Sequence, residues 1–270
     1  MIRTTRPTGA RAWLPMFAAI APLLGFALPA TAAGEYVPTV LVTGANRGIG
    51  LEYVRQYAAR GWTVIATARK PADAAELNAL AGANPAILVE QLDVGDLASV
   101  DALAGKYRGK PVDILVNNAG ITGSPADQVF GKLNYPVFEQ VFRTNVLGPL
   151  KVAESFLPNL EAGQQKKLVN VSSSEGSIGS VTAGRTYFYR ASKAALNMEM
   201  RNLASVLKAK GISLALINPG PVDTDMMKGA PKSMLRSKEQ AVADMIRITD
   251  RLRVDNTGLY WNYSGEFLPW

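Results

Sequence analysis

Tyr189 and Lys193 stand four residues apart in the run Tyr189-Arg190-Ala191-Ser192-Lys193, a spacing that puts both side chains on one face of a helix. An unperturbed tyrosine has a pKa of about 10 and is a poor proton donor or acceptor near neutrality. A fixed ammonium beside it favours the phenolate and is expected to draw that pKa down toward working range. Tyr-x-x-x-Lys pairs also occur on ordinary solvated helix surface, so the pair gains meaning only from its surroundings. The chain has no histidine and no cysteine. That excludes His acid–base chemistry, Cys nucleophiles, disulfides and nearly every zinc site, and proton transfer falls to carboxylates, Lys or Tyr.

A second group of residues lies upstream. Thr39-Val40-Leu41-Val42-Thr43 reads as a short buried strand and runs into Gly44-Ala45-Asn46-Arg47-Gly48-Ile49-Gly50. The next ten residues have helical periodicity and stop at Gly61, a C-cap. Strand, glycine turn and helix in that order present backbone N–H groups and a helix N-terminus to a pyrophosphate. The spacing is Thr-Gly-x-x-x-Gly-x-Gly, not the usual Gly-x-Gly-x-x-Gly fingerprint, and an ordinary β–α turn is the plainer alternative. The second strand ends at Ala68-Arg69-Lys70 with no acid before Asp73. An NAD site wants a carboxylate there for the ribose 2′-hydroxyl. Arg69 with Arg47 suits a 2′-phosphate instead, which favours NADP(H) over NAD(H).

The elements that must position these groups alternate along the chain. Strands are expected near 39–43, 62–67, 86–91, 112–117, 167–172, 212–218 and 258–261. Helices fall near 48–60, 71–81, 96–108, 136–161 (broken at Gly148-Pro149), 188–210 and 237–252. Apolar strands alternating with amphipathic helices imply one α/β, doubly wound, Rossmann-like domain with a parallel sheet of about seven strands and helices on both faces. Ligands then bind beyond the C-terminal strand ends, where Gly44, Asp93, Asn118, Ser173 and Pro219 fall. Asp93 could equally be an acid in the turn before the third helix.

Thr43-Gly44-x-x-x-Gly48-x-Gly50, Asn117-Asn118-Ala119-Gly120, Asn145, Ser172-Ser173, Tyr189-x-x-x-Lys193 and Pro219-Gly220 occur in that order. Together they resemble the short-chain dehydrogenase/reductase family over about residues 38–270. The run from Tyr189 to Met198 and the ending Gly265-Glu266-Phe267-Leu268-Pro269-Trp270 look like its carbonyl-reductase-like branch, with C-factor and sniffer proteins. The resemblance implies a catalytic tetrad of Asn145, Ser173, Tyr189 and Lys193. Ser172, Ser173 and Ser174 are adjacent, and the family pattern Ser-Ser-x-x-Gly, ending at Gly176, selects Ser173. Tyr187 is set aside because the residue four places on is Ala191. A cofactor site is implied at Gly44, Asn46, Arg47, Gly48, Ile49, Gly50, Arg69, Asp93, Val94, Asn118, Ala119, Gly120, Tyr189, Lys193, Pro219, Gly220, Val222 and Thr224. The segment Asp225 to Met234 matches the family's substrate lid, although its methionines could equally fill a core. The activity implied is NADP(H)-dependent hydride transfer between nicotinamide and a small-molecule carbonyl or alcohol, in a homo-oligomer. A non-catalytic NADP-binding regulatory or signalling protein on the same fold is the alternative.

The net charge is +7, with Arg3, Arg6 and Arg11 near the start. From Ala33 onward 26 basic residues face 22 acidic ones, without a basic run, and nucleic-acid binding is not expected. Those arginines precede the apolar stretch Trp13 to Leu28 and then Pro29-Ala30-Thr31-Ala32-Ala33, as in a bacterial secretory signal peptide. Residues 1–32 are therefore expected to be a leader cleaved after Ala32, and 33–270 an exported domain. The stretch falls short of the ~20 residues a spanning helix needs, and it carries Pro15 and Pro22, so no lasting membrane anchor is expected. No two arginines here are adjacent, as the twin-arginine route would require. A start codon assigned too far upstream would instead leave the enzyme cytoplasmic.

Overall fold

The computed structural model describes residue 9 and residues 36–270; apart from Gly9, the expected leader lies outside the described residues. Seven parallel strands form one sheet: β1 (Thr39–Val42), β2 (Thr63–Ala68), β3 (Ile87–Gln91), β4 (Ile114–Asn117), β5 (Lys167–Val171), β6 (Ser213–Asn218) and β7 (Leu259–Asn262). Their order is β3-β2-β1-β4-β5-β6-β7. The helices are α1 (Gly48–Ala59), α2 (Ala75–Ala83), α3 (Leu97–Lys106), α4 (Tyr135–Phe142), α5 (Gly148–Ser155), α6 (Leu157–Ala162), α7 (Tyr187–Lys208) and α8 (Lys238–Asp250).

Successive strand residues feed opposite faces, which is why the strands read as unbroken apolar runs. Val40 and Val42 pack with Tyr53, Val54 and Tyr57 of α1, Leu77 of α2 and Met245 of α8. Leu41, between them, packs with Leu103 of α3, Val152 of α5, Leu160 of α6 and Leu196 and Met200 of α7. Each such fully buried side chain contributes about 1.5–3 kcal/mol. Gly61 ends α1 with φ +77, its N–H bonded to the Ala58 carbonyl. Among the described residues no helix is long and apolar enough to cross a membrane.

The order reverses at β1, whose neighbours are β2 on one side and β4 on the other. That switch point opens a crevice beyond the C-terminal strand ends. At the opposite rim, buried Asp113 accepts from the Tyr36 hydroxyl and from the Thr39, Gln164 and Gln165 N–H groups, at 2.7–3.1 Å. It ties two distant segments, the start of β1 and the approach to β5, to the start of β4.

Two expectations need correction. The helix expected at 71–81 starts with a single turn at Pro71–Asp73, and the α-helix itself runs Ala75–Ala83. The helix expected over 136–161 is three helices, and its first disruption is a wide π-turn, Arg143–Leu147, upstream of Gly148-Pro149. Pro149 has no N–H for a carbonyl four residues back, so the ladder loosens before it. Gly148 is needed for packing: a Cβ there would lie 2.8 Å from the Val94 carbonyl oxygen.

Candidate active site

Four loops meet at the crevice: those after β1, β4 and β5, and the segment following β6. Thr43, 1% exposed, ties the first two together. Its hydroxyl accepts from the Asn118 and Ala119 N–H groups at 3.0 and 3.1 Å. The Asn118 amide donates back to the Thr43 and Gly44 carbonyls at 2.9 and 3.1 Å. Gly44 (φ +66) and Gly48 (φ +58) take left-handed conformations that suit glycine. A Cβ on Gly50 would sit 2.2 Å from the Gly44 oxygen. The turn is thus bare backbone closely packed against β4. Arg47 precedes α1 without capping it, and the first turn holds no acid, which leaves N–H groups of the helix start free for a ligand.

The cofactor residues expected from sequence are spread over the loops after β1, β2, β3, β4 and β6 and the start of α7. Asn46, Ile49 and Gly120 are half-buried, and Val94, Pro219 and Val222 are buried. Gly220 (φ +75) turns beneath Tyr263, whose ring would lie 2.7 Å from a Cβ there. The Thr224 methyl faces Gly48. Asp93 is half-buried and accepts from the Gly95 N–H at 2.9 Å, which makes it an acid of the turn before α3; the residue that caps that helix is Asp96. Arg69 and Lys70 are exposed at the end of β2.

Arg47 pairs with Asp225 at 2.9 Å, both side chains being about 70% exposed. Met226 and Met234 are exposed at 47% and 67%, so they are not core filler. The segment Asp225 to Met234 is followed by Arg236, which donates to the Pro219 carbonyl, pairs with Asp244 and lies 3.7 Å from the centre of the Tyr263 ring.

On the other side, α7 carries Tyr189 and Lys193 into the crevice. The Lys193 ammonium is 5.7 Å from the centre of the Tyr189 ring and donates to the Val171 carbonyl at 2.8 Å. A Cβ on Gly120 would lie 3.4 Å from Asn145 Oδ1 and 3.8 Å from Lys193 Nζ, so Asn145 and Lys193 both border that glycine. Asn145 is 1% exposed. It donates to the Ile121 carbonyl and the Ser192 hydroxyl and accepts from the Ile121 N–H, all at 2.7–2.9 Å.

The three serines separate cleanly. Ser172 is buried and donates to Asn197 at 2.6 Å, and Ser174 is exposed. Ser173 is the one beside the Tyr189 phenol, its hydroxyl accepting from the Glu175 N–H at 3.2 Å. Tyr187 is 39% exposed and packs at a tilt against Phe130.

The electrostatics reverse one expectation. Burial pushes the Tyr189 phenol above its ordinary value, the Ser173 hydroxyl pulls against that, and the Glu175 carboxylate adds to the rise. Lys193 points to the Val171 carbonyl and does not depress the phenol. Burial brings Lys193 itself down to about 8. Glu175 is held below the usual carboxylate range: burial raises it, and hydrogen bonds from Arg190 and Arg185 outweigh that.

Sequence patterns did not single out Glu175 or the role of Thr43. Glu175 sits two residues after Ser173 with Arg185 and Arg190 downstream, a charge pattern that could have flagged a clamp.

A family model for short chain dehydrogenases matches residues 38–234. The chain is 38% identical over 236 residues to 1-hydroxy-2-glutathionyl-2-methyl-3-butene dehydrogenase of a Rhodococcus species, covering 86% of this chain and 99% of that protein. The NADPH-bound carbonyl reductase from chicken fatty liver superposes with a TM-score of 0.80 at 32% identity, over 87% of this chain and 99% of that one. The carbonyl reductase Sniffer of D. melanogaster gives 0.78 at 27% identity, over 87% of this chain and 100% of that one.

Proposed function

The chain belongs to the short chain dehydrogenase family, an oxidoreductase acting on carbonyl or alcohol groups, and from that premise we propose that it reduces a small-molecule carbonyl with NADPH. The observation that carries this reading is a run of neighbours: Asn145 and Lys193 both border Gly120, Lys193 lies beside the Tyr189 ring, and the Tyr189 phenol meets Ser173.

The residues present fit a dinucleotide. The turn from Gly44 to Gly50 is a cradle that a single Cβ would fill, and the uncapped start of α1 offers N–H groups to a pyrophosphate. Arg69 and Lys70, with no neighbouring acid before Asp73, favour a 2′-phosphate. When bound, the nicotinamide supplies the hydride. Tyr189 donates the proton to the carbonyl oxygen, and its raised pKa keeps it in the neutral form that can donate. Ser173 hydrogen-bonds that oxygen as charge develops on it. Lys193, whose ammonium now donates to the Val171 carbonyl, would hold the nicotinamide ribose. Asn145 fixes the loop beside Lys193 through Ile121 and orders a water that links the lysine to solvent.

Replacing Tyr189 by Phe should lower turnover by about 10²–10⁴-fold, the range of general acid–base catalysis, with NADPH binding retained. Near-normal turnover of Y189F would sink the assignment. The signalling alternative has no observation of its own in its favour. Export remains part of the proposal and rests on the basic, apolar and Ala-x-Ala leader alone. N-terminal sequencing of native protein from cell fractions tests it: a mature chain beginning at Ala33 is expected, and a cytosolic chain beginning at Met1 would overturn it.

A further inference from the structure

The first turn of α7 is held from outside its own sequence. Thr186, the residue before the helix, has φ +44 and makes no side-chain cap, and its buried hydroxyl has no partner among the described residues. A left-handed threonine is costly and is kept only where its surroundings enforce it. The N–H groups of a helix start need an acceptor. For Phe188 that acceptor is Gln128 Oε1, 60 residues upstream, at 2.8 Å.

Gln128 is 5% exposed and closes the single turn Pro125–Gln128. Its Nε2 donates to the Thr122 and Ser124 carbonyls at 3.0 and 3.3 Å. An amide meeting two carbonyls and one N–H has only one orientation that satisfies all three. The same loop touches its neighbours twice more. Phe130 packs on Tyr187 with ring centres 6.1 Å apart, and the Ile121 backbone holds both ends of the Asn145 amide. One loop therefore fixes Asn145 at its start and the two residues before Tyr189 at its end.

We propose that Gln128 is a positioning residue for carbonyl reduction: by capping α7 from the loop after β4, it sets where the Tyr189 hydroxyl stands relative to Asn145 and Lys193. This rests on the reading of Tyr189 as the proton donor. A displacement of about 1 Å in a reacting group can cost on the order of 100-fold in rate. Q128M keeps the bulk and loses the acceptor. It should lower kcat by about 10- to 100-fold and leave the NADPH dissociation constant, read by fluorescence titration, within about twofold.

Groups that act as a unit are not additive, so Q128M placed on Y189F should cause little further loss. A purely structural defect would reduce both backgrounds alike, and that outcome overturns the proposal, as does an unchanged kcat in Q128M. If Q128M does not fold, amide exchange at Phe188 in the unmodified protein carries the test. Protection like that of mid-α7 is expected, and the rapid exchange of a frayed first turn overturns the proposal. The two failures are distinguishable. Normal turnover in Y189F removes the proton-donor reading, whereas an inactive Y189F beside a normal Q128M removes only the role of Gln128.

Discussion

The β1 side of the crevice, from Thr43 to Gly50, is built largely of closely packed backbone; the β5–α7 side is built of side chains. The first side packs main chain against main chain through glycines and a buried threonine hydroxyl. The second withdraws a lysine and an asparagine from water and crowds a tyrosine against a serine. Backbone N–H groups are fixed dipoles that titrate nowhere near working pH, so the first side is insensitive to protonation. The second side trades solvation of Lys193 for control of a proton. A dinucleotide's invariant phosphates suit the first kind of site, and proton transfer demands the second.

The sharpest way to break this contrast is G50A. Its Cβ would meet the Gly44 oxygen at 2.2 Å and the Asn118 amide at 2.6 Å, and neither the backbone nor the doubly bonded amide can yield cheaply. We expect a loss of about 3 kcal/mol or more and no measurable NADPH binding. A thermal melt and a fluorescence titration check both; normal binding would mean the turn is not the cradle described.

R69D tests a side chain proposed to meet the 2′-phosphate of the cofactor. NADPH should bind about 10- to 100-fold more weakly, the value of a charged hydrogen bond to phosphate, and NADH should be spared. Equal dissociation constants for the two cofactors in the unmodified protein would remove the 2′-phosphate assignment.

K193M probes the other side, where losing function should raise stability. A fall from 10.5 to about 8 corresponds to about 3 kcal/mol of charge penalty, and the lost bond to the Val171 carbonyl takes back about 1 kcal/mol or slightly more. Denaturation at pH 7 should show a net gain of about 1–2 kcal/mol, in a protein with turnover abolished. The folded-state value lies below the ordinary one, so the penalty is fully present below about pH 8 and is relieved as pH climbs to 10.5. The advantage of K193M should shrink across that window. A destabilised K193M at pH 7 would show that the ammonium is well solvated after all.

The smallest effect is expected from D225N. The Arg47–Asp225 pair is open to solvent, and removing it should change stability by no more than about 0.5 kcal/mol. A larger change would mean that the glycine turn and the segment around Asp225 are locked together.

The same contrast explains what could be read from the sequence. Backbone features announce themselves through residue type: Gly44, Gly48 and Gly50 mark the turn because few other residues fit there, and unbroken apolar strands mark a sheet covered on both faces. Side-chain environments are made by residues far apart in the chain, and they were only partly legible. The sequence left Ser172, Ser173 and Ser174 equivalent but for the family pattern; Asn197, 25 residues on, takes Ser172 out of the crevice. The direction of the Tyr189 shift was misread because spacing places Lys193 on the right face but cannot say that the Val171 carbonyl holds its ammonium. The break in the helix over 136–161 was placed at Gly148-Pro149, whereas the proline loosens the turn before it. Gln128 was invisible because its partner is the main chain of Phe188, 60 residues away.

The bonds that Asp113 makes beneath the sheet also bear on how the chain reaches this fold. β1 is synthesised early, yet one of its two edges stays open until β4 arrives more than 70 residues later, since Val40 pairs with Ile114. At roughly 5–20 residues per second on the ribosome, that is a wait of several seconds with an apolar edge unpaired. Asp113 accepts the Thr39 N–H and then, about 50 residues on, the N–H groups of Gln164 and Gln165. Its carboxylate can be fully satisfied only when the start of β1, the start of β4 and the approach to β5 have assembled. Such long-range closure slows folding, and a chaperone that shields nascent strand edges should raise the yield of this protein more than any change made at the crevice.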